Sequence, residues 1–257
     1  MRSVYLAGVL AAFLASQTQA AELLVLSPGF VYNAGIQDLA TSFTKETGVK
    51  VTIKSVGMGA ILAAANTGPA PDLIVLPSEP YDLMGNFAKD GGIIEGTWTP
   101  LGRVEIVLAV KAGASRPDVS TVDKLAAVLK SAHGVFRSNP GKDLTPGVGS
   151  MEALIIDNML KRPEFSGVKS IISTSGEGGQ ALAKGQGDMA LQLVCEVYPH
   201  PEISSAGPLP PELYAHMDGA IAVSRRTMDE KDARAFIAYI TRPEAAAVWK
   251  AKGLDRF

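Results

Sequence analysis

The chain has 257 residues, 24 basic and 26 acidic side chains, and a formal charge of −2. That balance argues against nucleic acid or an anionic membrane surface as a partner. Cys195 is the only cysteine, so an intramolecular disulfide and a thiolate metal cluster are both excluded. Its apolar surroundings read it as a buried small hydrophobe.

The first twenty residues read as an export signal. Arg2 supplies the charge, residues 4–14 the apolar stretch, and Thr18-Gln19-Ala20 a small-residue cleavage site. The apolar run is shorter than the ~20 residues needed to span a bilayer, so no membrane insertion after cleavage is expected. Cutting after Ala20 leaves 237 residues with 23 basic against 26 acidic side chains, a charge of −3.

Residues 23–26 then read as a strand. They are followed by a Ser27-Pro28-Gly29 turn, a helix reaching Glu46 and a second strand at 49–54. This order sets a helix N-terminus above the end of a strand, a place suited to a small anion. Next come a helix at 60–66, a buried strand at 72–76 and a helix at 81–89 stopped by Gly91-Gly92. A long strand at 103–110 precedes a helix at 118–131, capped by Ser120 or Thr121. The pattern continues with a strand at 135–136, a loop at 139–147, a helix at 149–161, a strand at 170–173 and a helix at 178–184. A strand at 188–194, a short helix starting at 196, a strand at 220–223 and helices at 229–240 and 243–252 complete it.

Alternating strands and helices predict an α/β fold with a mostly parallel sheet. No flexible linker divides the chain. If there are two lobes, the apolar stretches 103–110 and 214–223 are the expected crossings. A G-x-S-x-G elbow, a P-loop and a complete G-x-G-x-x-G turn are absent at useful positions. His133, His200 and His216 show no metal or triad spacing, so no metal site and no cofactor are expected.

With the elements placed, the chain resembles the type II periplasmic solute-binding proteins, in the branch that holds the molybdate-binding proteins. The matching stretches are VLSPGFVYNAGIQDLATSFTKETGVKV, APDLIVLPSEPYDLM, GRVEIVLAVKAGA, ALAKGQGDMALQLV and FIAYITRPEAAAVWKAKGL, in that order. The resemblance implies a two-lobed α/β fold, each lobe a mixed sheet flanked by helices, with a ligand cleft between lobes. The expected division is residues 1–20 as signal peptide, 21–105 with 220–257 as lobe 1, and 106–219 as lobe 2. It further implies a periplasmic location, a small anionic ligand and an ABC permease as partner; a monomer is expected.

The sequence departs from the molybdate pattern in the residues that would hold the ligand. The first turn keeps Ser27 but continues Pro28-Gly29, and Val56-Gly57-Met58-Gly59 carries no serine. Leu193, with Gln192 beside it, stands where a tyrosine is usual. Lost hydroxyls weaken selectivity for a compact tetrahedral dianion. Open glycines, an amide and arginines suit a small organic polycarboxylate better. A sub-branch similar at Leu191-Gln192 and Gly207-Pro208-Leu209-Pro210 includes aconitate isomerases, which carry out an allylic proton shift.

The expected ligand contacts are Ser27, Gly29, Gly57, Met58, Gly59, Ser78, Arg103, Arg137, Ser138 and Gln192. Ser27 has a second role open to it as a helix cap, and so has Ser78. Met58 has core packing as its alternative, and Arg103 a hinge salt bridge. Arg137 follows a strand directly and is the better carboxylate anchor, whereas Lys142 reads as part of a solvated loop. Glu196 is the carboxylate nearest the expected cleft. It would be the base of an isomerase, or else an exposed first-turn residue.

Overall fold

The computed structural model describes residues 22–138, 150–174 and 177–257. The export-signal segment and Lys142 lie outside the described residues. In chain order the elements are β1 (Glu22–Ser27), α1 (Gly29–Val31), α2 (Gln37–Thr47), β2 (Lys50–Ser55), α3 (Met58–Ala63), β3 (Leu73–Glu79) and α4 (Leu83–Lys89). Then follow β4 (Thr99–Lys111), α5 (Val122–Ser131), β5 (Val135–Arg137), α6 (Met151–Leu160), β6 (Ser170–Ile172), α7 (Gly178–Ala183) and β7 (Met189–Leu193). The last are α8 (Val194–Val197), β8 (Ile203–Pro208), β9 (His216–Val223), α9 (Glu230–Thr241) and α10 (Ala246–Ala251).

Helix ends follow the local chemistry. The Thr121 hydroxyl accepts from Lys124 N at 3.3 Å, the Ser150 hydroxyl from Ala153 N at 3.3 Å and Asp229 Oδ1 from Asp232 N at 3.1 Å. Gly48 takes φ 78° and ends α2 by donating to Thr44 O at 2.9 Å. Helices α2 and α9 are joined by aromatic contacts, Phe43 meeting Phe236 and Tyr239 edge-on at 5.3 and 5.2 Å. Trp249 is fully buried, and its indole N–H donates to Ile240 O at 2.8 Å.

The strands run in the order β2-β1-β3-β9-β4-β7-β5-β6, with β8 also on β4. The sheet is the mixed one that the resemblance implies, not the mostly parallel one expected from the alternation of strands and helices. β1 with β2, β1 with β3, β5 with β6 and β5 with β7 are parallel. β9 pairs antiparallel with β3 and β4, and β4 pairs antiparallel with β7 and β8. Alternation with helices could not reveal this. β9 returns from the far end of the chain, and β8, reading ISSAGP, has no apolar alternation to announce a strand.

β4 belongs to both halves of the sheet. Residues 99–105 pair with β9, and residues 106–111 pair with β7 and β8. The return connection passes at the same point, where Ile106 N donates to Ala215 O at 2.8 Å and Leu209 N to Ile106 O at 3.2 Å. The two stretches therefore lie side by side. Among the described residues no helix is long and apolar enough to cross a membrane.

Candidate functional site

Three elements, α6, β7 and α8, bring acidic and amide side chains to one place. Gln192, fully buried on β7, is the centre. Its Oε1 accepts from Gly179 N at 3.0 Å, which ties β7 to the start of α7. Its Nε2 donates to Glu196 Oε2 on α8 and, at 3.4 Å, to Glu152 Oε2 on α6. Ser138, just after β5, donates to Glu152 Oε2 at 2.9 Å, and Leu193 N donates to Glu152 Oε1 at 3.1 Å. Glu152 is thus held at both oxygens. Glu196 reaches the opening turn of the chain, since a Cβ on Gly29 would lie 4.0 Å from Glu196 Oε1.

The expected ligand contacts divide into three groups. Gly29, Ser138, Gln192 and Glu196 come together. Ser27 is fully buried at the end of β1, donates to Pro28 O at 3.1 Å and caps no helix with its side chain. Gly57 forms the N-cap of α3, with Met58 and Gly59 in its first turn; Met58 also packs against the core. Among the described residues, no recorded contact joins Gly57, Met58 or Gly59 to the Gln192 group.

Three residues point elsewhere. Ser78 donates to Asp218 O at 3.3 Å. Arg103 forms a two-pronged ion pair with the buried Asp218, at 2.7 and 2.8 Å, which occupies its guanidinium. This pair borders a 670 Å³ cleft with Glu79, Glu105 and His216, away from Gln192. The Arg137 guanidinium turns from the cluster as well. Its Nε donates to Ser170 at 2.7 Å, and Nη1 sits 2.6 Å from Asp157 Oδ1, close enough for an ion pair but not aligned for a hydrogen bond.

The family model described as "Bacterial extracellular solute-binding protein" matches residues 24–255, nearly the whole chain. The chain belongs to this family. The solute-binding protein is similar to the aconitate isomerase of a Pseudomonas species, 27% identical over 242 residues that cover 90% of this chain and 87% of the other. Among solved structures it is similar to the periplasmic molybdate-binding protein of Azotobacter vinelandii, with a TM-score of 0.68 and 16% identity over 90% of this chain and 98% of that one. L-phospholactate-bound PEB3, a Campylobacter jejuni protein, gives a TM-score of 0.62 and 20% identity over 91% and 100%. The solute-binding protein therefore has the two-lobed α/β fold of periplasmic binding proteins, with a mixed sheet flanked by helices.

Burial governs the charge state of this solute-binding protein's acidic group. It pushes the Glu152 carboxyl up to about 8 against the pull of Ser138 and the Leu193 N–H, and the nearby Glu177 charge adds to the rise. Glu196 is raised well above the carboxylate range by burial and then by the charges of Glu152 and Glu177, with Gln192 opposing. Burial also raises Glu177, which His200 partly offsets. Glu196 is 9% exposed, which overturns the reading of an exposed first-turn residue.

The Glu152 shift fixes a pH dependence. Between about pH 4.5 and about pH 8 the folded protein keeps a proton on the Glu152–Glu196 pair that the unfolded chain releases, so stability falls as pH rises through that window. Glu152→Gln is expected to flatten this fall, by at most ~5 kcal/mol. Urea midpoints near the two ends of the window measure it, and an unchanged slope in the variant would remove Glu152 as its source.

Glu152 and Glu177 were not found from the sequence. Glu152 had a signal, because positions 152, 155, 156 and 159 form one helical stripe and the other three are buried isoleucines and a methionine. Glu177 only looked like a residue ahead of a helix. Gly178 beside it has a packing reason to be glycine, since a Cβ there would sit 2.7 Å from Arg137 Cα and 2.8 Å from Arg137 N. Gly178→Ala is expected to lift α7 off β5, loosen the Gly179 bond to Gln192 and cost ~2 kcal/mol. Thermal unfolding checks this; an unshifted midpoint would mean the backbone gives way freely.

Proposed function

We propose that this exported, periplasmic protein binds a small organic polycarboxylate between its lobes and catalyses an allylic proton shift on it, as an aconitate isomerase does. The observation that carries the reading is the pair of buried carboxyls, Glu152 and Glu196, joined through Gln192 beside the Gly29 turn. A fully ionised metal oxyanion gains little from such neighbours. A polycarboxylate can share protons with them.

The reaction needs one base and one acid. A C–H bond of the substrate methylene breaks and its proton goes to a carboxylate. The electron pair moves along the allyl unit to form the new C=C bond, and a carboxylic acid supplies a proton to the far carbon. One C–H is lost and one gained, so no oxidant or reductant is required. Two carboxyls this close resist ionising together, which supplies an acid and a base from the same residue type. Glu196, with Oε1 toward Gly29, is assigned as the acid that gives its proton to the far carbon. Glu152, which accepts from Ser138, Gln192 and Leu193, is assigned as the ionised base, and Gln192 holds the two carboxyls together.

The two-lobed fold favours a second reading, in which the protein delivers the same ligand to an ABC permease and does no chemistry. Proton NMR of trans-aconitate in D2O with the purified protein separates the two. Appearance of cis-aconitate with deuterium incorporation is the result expected of the isomerase. Binding of trans-aconitate without conversion would leave delivery as the function.

A further inference from the structure

Among the described residues, the titratable groups acting on the Glu152–Gln192–Glu196 cluster are acidic with one exception. Glu152 comes from α6, Glu177 from just ahead of α7, and Glu196 with the buried Cys195 thiol from α8. His200, beyond α8, is the exception and acts on Glu177. β5 and β7 contribute neutral donors in Ser138 and Gln192, while the Arg137 guanidinium is engaged by Asp157 and Ser170. A polycarboxylate seated beside Gly29 therefore adds negative charge next to carboxyls that lack a neighbouring cation among the described residues.

We infer that the site binds a proton together with its anionic ligand, the proton residing on the Glu152–Glu196 pair. The inference rests on the polycarboxylate reading above. The hydrogen bonds say where that proton goes. Glu152 accepts from Ser138, Gln192 and Leu193, a pattern that suits an ionised carboxylate. Glu196 accepts from Gln192 at Oε2, and its Oε1 lies toward the Gly29 turn. A proton on Glu196 Oε1 turns that atom from an acceptor, which would repel a ligand carboxylate, into a donor to it. In the free protein, burial and the neighbouring carboxyls let the pair hold this proton to higher pH than an exposed carboxyl would. Where the free pair has lost it, the ligand brings the proton back with it.

The probe is tricarballylate, which is saturated and cannot undergo the allylic shift. Its three carboxylates are ionised throughout the range used, so any proton taken up belongs to the protein. Titration calorimetry is run in phosphate and in Tris, buffers of low and high ionisation enthalpy, from about pH 7 to about pH 9. Expected is a buffer-dependent enthalpy that corresponds to uptake approaching one proton per ligand at the alkaline end. Kd should rise about tenfold per pH unit there. Glu196→Gln and Glu152→Gln should each reduce the uptake. Binding with equal enthalpies in both buffers and a flat Kd would overturn the proton coupling and leave the polycarboxylate reading standing. Absence of tricarballylate binding at every pH would overturn that reading and the coupling with it.

Discussion

Glu196→Gln is expected to slow conversion of trans-aconitate by ~10²–10⁴-fold, the usual contribution of a positioned acid or base. The amide keeps the size of the side chain and can still donate to a ligand carboxylate. It cannot give a proton to carbon. Tricarballylate affinity should therefore stay within about threefold of the parent, because a donated hydrogen bond is exchanged for another. Loss of turnover with binding kept would identify Glu196 as the proton-transfer group. Turnover unchanged in the variant would place the acid elsewhere, and equal loss of turnover and binding would make Glu196 a ligand anchor only. Gln192→Leu gives a useful contrast. It removes the bridge between the two carboxyls without removing either, so it should shift the pH profile of turnover as well as lower it.

The largest stability effect is expected at the crossing of the two halves. Arg103→Ala leaves Asp218, only 4% exposed, without its two-pronged partner. Breaking a buried pair by removing one member typically costs ~3–5 kcal/mol, because the remaining charge stays desolvated. Arg103 is itself partly exposed, so water can reach the gap, and ~3 kcal/mol is the expected loss. Asp218→Asn should cost less than the arginine deletion, since it removes the stranded charge. Urea unfolding of the single variants and of the double variant measures the coupling. Additive losses would show that the two side chains do not act as a pair.

The α/β order was legible because strands β1, β3, β4 and β7 contain apolar runs and the longer helices carry apolar stripes with conventional caps. The sheet's direction was not. Parallel and antiparallel neighbours differ in chain return, and β9 arrives between β3 and β4 from far along the sequence. Within the candidate site, Gln192 stood out as an amide in an apolar strand. Glu196 stood out as the next carboxylate. Glu152 was hidden because an acidic residue in the first turn of a helix has an ordinary electrostatic reason to be there. Arg137 misled in the opposite direction. Its position at the end of β5 is next to the cluster, with the Arg137 backbone against Gly178, yet its guanidinium is drawn to Asp157. Position along a strand fixes where a side chain starts, and for a long side chain the nearest countercharge decides where it ends.

The place of β9 also governs how the molecule can be assembled. β3 and β4 are separated by β9, so the half of the sheet that begins with β1 lacks an interior strand until His216–Val223 has been made. The helices that cover this half, α9 and α10, come later still, and Phe236, Tyr239 and Trp249 complete its core. A chain delivered N-terminus first must therefore hold its opening strands unsealed while everything between β4 and β9 passes. Such distant pairing makes folding slow. A slow start keeps the chain extended for longer, which is the condition in which a polypeptide can be threaded through a narrow channel before it locks.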